Sequence, residues 1–233
     1  MYTFDSKIRY SETDQSGKLS IPAIVDYFQD CSVFQSEALG VGVEYLAKKE
    51  RAWILNSWQI IFERIPEQGE EITIGTWGSG FDKFHATRNF ILNTSRGERL
   101  AYANSIWVYV DTKTGMPVRP SQEEIDVYHL EEPLEMEYEP RKIRLSKEWE
   151  EKEPVKVQKS WIDSNHHVNN SWYVKAAVEE FPKDLKVRQL RVEYKKQAHE
   201  GDVLYPRCVK EEGRMLVSLC DEKQKPYAVI ECK

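Results

Sequence analysis

The chain has 233 residues, 40% hydrophobic and 31% charged, with a formal net charge of −6. That balance fits a folded globular protein rather than a disordered one, and the negative sign speaks against nucleic acid as a general partner. No apolar run approaches the ~20 residues a membrane span needs. The N-terminal Met-Tyr-Thr-Phe-Asp lacks a basic and then apolar leader, so no secretion signal is expected. The four cysteines (Cys31, Cys208, Cys220, Cys232) form no CxxC pair. Buried thiols in a reduced, cytoplasmic protein are the expectation.

In chain order, a strand is expected over 2–10, then a polar loop, Asp14-Gln15-Ser16-Gly17-Lys18-Leu19-Ser20. A helix follows, with Ser20 as its cap and Pro22 in the first turn, where a missing N–H costs little. Val25, Phe28, Ser32, Gln35 and Leu39 carry the helical spacing, and Gly40 stops it. Strands are expected over 53–62, 71–77, 83–93 and 100–111, the last two turned by Ser95-Arg96-Gly97-Glu98. Residues 117–154 are charged, contain prolines and read as a linker. The pattern then repeats. A strand over 155–161 leads into Asp163-Ser164-Asn165-His166-His167-Val168-Asn169. A helix follows, through Trp172, Tyr173, Ala176, Ala177 and Val178 to Phe181-Pro182. Strands are expected over 186–197, 203–210, 214–220 and 226–232, with turns at Gly201-Asp202, Glu212-Gly213 and Asp221-Glu222-Lys223.

Phe62-Glu63-Arg64-Ile65-Pro66-Glu67-Gln68-Gly69-Glu70 also matches Tyr194-Lys195-Lys196-Gln197-Ala198-His199-Glu200-Gly201-Asp202, so the two halves read as a duplication. The first half is longer between its cap and second strand, where the longer helix and residues 40–50 hold the extra length. One helix followed by antiparallel strands, twice, makes an α+β fold with each helix on a sheet. The expected domains are 1–116 and 155–233, joined by 117–154.

The densest chemistry lies in the second loop, which puts an acid, two histidines and three asparagines in eight residues. Asn169 or Asn170 caps the helix there, so free N–H groups and the positive helix end point into the loop. A carbonyl gaining negative charge would be stabilised at that place, though the segment reads equally well as an ordinary capping loop. An imidazole near neutral pKa at His167 can take a proton from water. The first half has Lys18 and Ser16 where the second has His167 and Asn165, which argues for one site per chain.

The second-half motif Asp163-x-Asn165-x-His167-Val168-Asn169-Asn170 resembles the active-site signature of the acyl-acyl carrier protein (acyl-ACP) thioesterases. Trp53-Ile54-Leu55, the block from Phe62 to Gly69, Thr76-Trp77, Ala103-Asn104-Ser105-Ile106-Trp107-Val108 and Arg119-Pro120-Ser121 continue the likeness over nearly the whole chain. The resemblance implies a double hotdog fold, with a sheet wrapped around each central helix. It also implies hydrolysis of fatty acyl-ACP to free fatty acid and carrier, ending fatty acid synthesis, from a site in the second half. Members of the family commonly carry a Glu, often with a Cys, on the strand after the second helix. Gln197 and Ala198 stand there, which excludes a cysteine nucleophile and puts a carboxylate base in doubt, since Gln cannot take a proton.

The candidate catalytic residues are therefore Asp163, Asn165, His167 and Gln197. His167 is the base; Asn165 orients water or donates to the thioester oxygen, or only closes an Asx turn. Asp163 orients the loop, and Gln197 holds the water or is an ordinary strand polar residue. His166 alternates away from His167 and is expected to be exposed. No cofactor is implied, since GxGxxG, P-loop and GxSxG motifs are absent. No metal is implied either: His85, His129 and His199 are isolated, and His166-His167 lacks ligand spacing. Trp53, Trp58, Trp77 and Trp107 read as core packing, or as part of an acyl tunnel if the resemblance holds.

The expected partner is an acyl carrier protein, with a homodimer as an option for assembly. An acidic carrier needs a local basic surface on an acidic enzyme, and Lys183, Lys186, Arg188, Arg191, Lys195 and Lys196 cluster near Gln197. The alternatives are an acyl-CoA thioesterase of the same fold and a non-hydrolytic acyl-binding protein.

Overall fold

A computed structural model describes residues 1–182, 185–211 and 213–233. Lys183 of the basic cluster and Glu212 of an expected turn lie outside the described residues. The chain divides into two compact units. One takes Met1–Asn56 and Ile60–Glu139, the other Ser57–Gln59 and Pro140–Lys233.

In the first unit β1 (Tyr2–Lys7) leads into α1 (Ile21–Ala38) and the short α2 (Val43–Lys48). Then come β2 (Arg51–Phe62), β3 (Glu71–Asp82), β4 (His85–Thr94), β5 (Arg99–Asp111) and α3 (Gln122–Asp126). The strands form an antiparallel sheet in the order β1-β3-β4-β5-β2. Ile24, Val25, Phe28 and Cys31 of α1 are wholly buried, at the i, i+1, i+4, i+7 spacing of a helix lying on a sheet. Phe28 meets Phe90 of β4 at 5.2 Å between ring centres. Each such side chain contributes about 1.5–3 kcal/mol of burial. The short helix α3 was not expected, yet its signal is in the sequence: Ser121 and Glu124 form a reciprocal capping box.

The second unit contains β6 (Glu150–Glu151), β7 (Val155–Lys156), α4 (Asn170–Val178), β8 (Gln189–Tyr194), β9 (Val203–Glu211), β10 (Arg214–Cys220) and β11 (Pro226–Cys232). Its order is β8-β11-β10-β9-β6, with β7 also on β9. Tyr173, Val174 and Ala177 of α4 are buried.

The expected strands over 2–10 and 155–161 are cut short in the same way. Each gives way to a 3-10 turn, at Tyr10–Glu12 and at Lys159–Trp161. The cause is a pair of backbone bonds to a later turn. Ile8 N–H donates to Glu70 O at 2.9 Å, and Val157 N–H to Asp202 O at 2.8 Å. The duplication read from sequence is thus repeated bond for bond.

Residues 117–154 do more than connect. In the first unit Glu131 N–H donates to Gly78 O, the Trp77 indole to Glu132 O, and Leu134 N–H to Asn89 Oδ1. In the second, Ile143 is buried and its N–H donates to Glu193 Oε2 at 3.0 Å. Each half of the segment covers polar backbone or side chains on its own unit's sheet. Among the described residues no helix is long and apolar enough to cross a membrane.

Candidate active site

The loop before α4 is shaped by its main chain. Asp163 N–H donates to His167 O at 2.9 Å, and His166 N–H donates back to Asp163 O at 3.0 Å. Asp163 Oδ1 accepts the Asn165 N–H at 2.8 Å, an Asx turn that puts His166 at φ 63°. An Ile162–Val168 bridge closes the neck. Two further bonds anchor it, Val168 N–H to Ala198 O and Asn169 N–H to Trp161 O, both at 2.9 Å. Asn169 is the cap of α4, its Oδ1 accepting the Ser171 N–H at 3.0 Å. Trp161 stacks on Trp172 at 4.9 Å and 12°, and the Lys175 ammonium lies 4.2 Å over Trp172. That stack buttresses the junction of loop and helix.

The first unit repeats this loop. Asp14 N–H donates to Lys18 O at 2.8 Å, Gly17 N–H to Asp14 O at 3.0 Å, and Leu19 N–H to Pro66 O at 2.8 Å. Gly17 sits at φ 75° where the second unit has His166. The scaffolds agree; the side chains differ, with exposed Lys18 in place of half-buried His167.

Asn165 is exposed, and His166 is exposed as expected. Among the described residues no hydrogen-bond partner meets His167 Nδ1, which is buried. A proton there would be an unmet buried donor, which favours the neutral tautomer with its proton on Nε2. Burial most of all, then the neighbouring His199, holds the His167 pKa below its ordinary 6.5; Asp163 pulls the other way and His166 adds a smaller push. Together these favour a neutral ring whose Nε2–H can be offered as a donor, while the nitrogen that would accept a proton is buried.

Gln197 is exposed and lies just past β8, one residue before Ala198. Ala198 is buried between loop and helix: its O accepts from Val168, and its N–H donates to the Tyr173 hydroxyl at 2.8 Å. Burial above all pushes the Tyr173 phenol well above its usual range, so it stays protonated.

The sequence reading left His199 isolated. The structure brings its ring to 5.0 Å from that of His167, at 64°. Gly201, at φ 85°, makes the turn that returns the chain and allows Asp202 Oδ2 to accept the His199 N–H at 2.9 Å. The signal was available: the duplicated position in the first half is Glu67, whose backbone bridges to Lys18.

The basic cluster is largely spent. Arg191 is buried, with its guanidinium on Glu231 at 2.7 Å and on Pro140 O. Lys195 pairs with Glu193 at 2.7 Å and Lys196 with Asp221 at 2.5 Å. Lys186 and Arg188 are exposed. All four cysteines are free and buried, and none lies in the loop. Burial pushes the Cys31 thiol up to about 12. Among the described residues no group of three or more His, Cys, Asp or Glu is placed to hold a metal ion.

Two helix-on-sheet units of this kind, the second carrying a polar loop at its helix start, define a double hotdog protein. The chain superposes on an acyl-ACP thioesterase from Bacteroides thetaiotaomicron with a TM-score of 0.90, covering 99% of this chain and 96% of that one at 22% identity. It superposes on a 12:0-ACP thioesterase from Umbellularia californica with a TM-score of 0.84, over 100% and 96%, at 17% identity. The sequence model of the acyl-ACP thioesterase N-terminal domain matches residues 1–128, and that of the C-terminal domain matches 133–225. The chain belongs to the acyl-ACP thioesterase family. A chloroplastic palmitoyl-acyl carrier protein thioesterase from Gossypium hirsutum is 23% identical over 221 residues, 88% of this chain and 54% of that protein. The chain spans about half the length of the curated relatives it matches.

Proposed function

We propose that the chain hydrolyses the thioester of a fatty acyl chain held on an acyl carrier protein, releasing free fatty acid and carrier, and that it does so in the cytoplasm. The observation that carries this reading is the neutral His167, fixed beside Asn165 on a loop held by main-chain bonds at the start of α4. The reaction needs donors aimed at the oxygen that becomes negative when water attacks the carbonyl. His167 Nε2–H and the Asn165 amide supply them, and preformed donors of this kind are worth several kcal/mol each once bound substrate excludes water. Asp163 holds the loop in shape through its bond to Asn165 N–H. Gln197, open to solvent on the adjoining turn, hydrogen-bonds the incoming water or thioester without exchanging a proton. Four free cysteines suit a reducing compartment.

The test is release of free thiol from acyl-ACPs of graded chain length, with the same chains on coenzyme A alongside. The expected result is turnover on the carrier protein at higher kcat/KM than on coenzyme A. Preference for coenzyme A would make the chain an acyl-CoA thioesterase. Tight acyl-ACP binding with no thiol release would make it an acyl-binding protein.

The carrier's approach gives a second expectation. Lys186 and Arg188 are exposed, and among the described residues neither is paired with a carboxylate. Reversing both to Glu should raise KM for acyl-ACP several-fold and flatten its salt dependence, leaving a carrier-free acyl thioester unaffected. Equal loss on both substrates would place carrier docking elsewhere.

A further inference from the structure

The reaction proposed above needs a base. Gln197 has no proton to exchange. His167 is held toward its neutral form, and its Nδ1 is buried and unpartnered among the described residues. Asp163 has Oδ1 committed to the Asn165 N–H. Resting on that hydrolase reading, we propose that His199, oriented by Asp202, is the general base that takes the proton of the attacking water.

The geometry has four parts. First, the His199 ring lies 5.0 Å from the His167 ring, so a base and a carbonyl-oxygen donor stand side by side. Second, the Asp202 carboxylate is fixed: Oδ2 accepts the His199 main-chain N–H at 2.9 Å and the Tyr227 hydroxyl at 3.2 Å. Third, the same Oδ2 lies 3.9 Å from His199 Nδ1. At that separation the carboxylate acts through its charge rather than a hydrogen bond, and its field favours a proton on Nδ1 over one on Nε2. Fourth, the His199 side chain is 60% exposed, so water reaches it. The first unit supplies the contrast. It keeps the turn, with Glu67 N–H on Glu70 Oε1 at 2.6 Å, but carries Lys18 and Glu67 where the second unit has His167 and His199. An ammonium and a carboxylate there cannot divide the work as two imidazoles can.

The step balances without a co-reactant. Water oxygen bonds to the carbonyl carbon as its proton passes to His199 Nε2, and the carbonyl electron pair moves onto oxygen, facing the His167 N–H. The oxyanion collapses, the C–S bond breaks, and the leaving sulfur takes the proton from His199. The products are the acid and the thiol, with His199 neutral again. Charged and titratable groups beside the imidazole pair are Asp163 and His166 from the loop, and Asp202 from its own turn, whose carboxylate also takes the Tyr227 hydroxyl of β11. A protonated His199 cannot accept the water's proton, so activity falls on the acid side.

The experiment measures kcat and KM on an acyl-ACP against pH for the parent, His199→Ala, His199→Gln and Asp202→Asn. Long-range 1H–15N spectra of the parent assign the His167 tautomer. His199→Ala and His199→Gln are expected to lose roughly 10²–10⁴-fold in kcat with little change in KM, the loss of a positioned base, and to lose the acid limb. Asp202→Asn should keep the limb with a smaller loss. His167 should carry its proton on Nε2. Because His199 is exposed, both of its variants should fold, which circular dichroism checks. An active parent whose His199 variants keep more than a third of its rate and the same acid limb overturns the base assignment alone, as does a His167 proton on Nδ1. A parent that releases no thiol from any acyl-ACP overturns the hydrolase reading, and this assignment with it.

Discussion

Replacing His167 by Ala is expected to lower kcat/KM on acyl-ACP by roughly 10²–10³-fold, the loss that follows removal of one preformed oxyanion donor. The fold should survive. The loop's shape rests on bonds between main-chain atoms and on the Asp163–Asn165 turn, none of which involves the imidazole. The truncation also removes a buried nitrogen that has no partner among the described residues, so thermal stability should be unchanged or slightly higher. His166→Ala is the matched control, since its side chain is exposed and its rate should stay close to the parent's. Hydrolysis and thermal unfolding of the two variants decide the matter. If His167→Ala kept more than about a third of the parent rate, less than ~1 kcal/mol of transition-state stabilisation would be at stake, and the residue would lose its place in the site.

The largest stability effect is expected at Glu231, which is 2% exposed on β11. Its carboxylate takes Arg191 and Arg214, both at 2.7 Å, with Lys233 at 3.7 Å. Glu231→Ala leaves the Arg191 guanidinium buried opposite a lost carboxylate, and breaking a buried pair in this way costs about 3–5 kcal/mol. For a chain of this size that is roughly 10 °C in Tm. Arg191→Ala should cost less, because Glu231 keeps Arg214 and Lys233. Thermal scans of both variants test the order. A Glu231→Ala midpoint within ~2 °C of the parent would show that the network adds little.

Arg191 also shows where sequence reading stopped. Its charge put Arg191 in a basic cluster open to a carrier, and the structure buries it on β8. Residue type says what a side chain carries and nothing about what covers it. The cover is chain from the segment read as a linker: Pro140 O accepts from Arg191, and Ile143 N–H donates to Glu193. Charge and prolines concealed a strap with sparse apolar anchors, Ile143 against Leu216 and Val229 with Trp149 packed on them. The repeated loops, by contrast, were legible because their geometry needs particular residues in particular places: an acid to start the turn, a cap to end it, and a glycine after the next strand. His199 was hidden because its neighbour lies across a turn rather than along the chain. Comparing the two halves position by position through Glu67 would have brought it forward.

The two capping loops have a further consequence. Each is drawn by peptide groups, Asp14 N–H to Lys18 O in one and Asp163 N–H to His167 O in the other, and each is latched to a distant peptide, Pro66 or Ala198. Substituting a side chain alters none of those atoms. Architecture and reactivity in this chain are therefore separately heritable. A lineage can exchange the groups at positions 16, 18 and 67, or at 165, 167 and 199, without renegotiating the backbone that presents them. The first unit is then a silent copy of the same holder, and Ser16→Asn, Lys18→His and Glu67→His are the changes by which it would be armed.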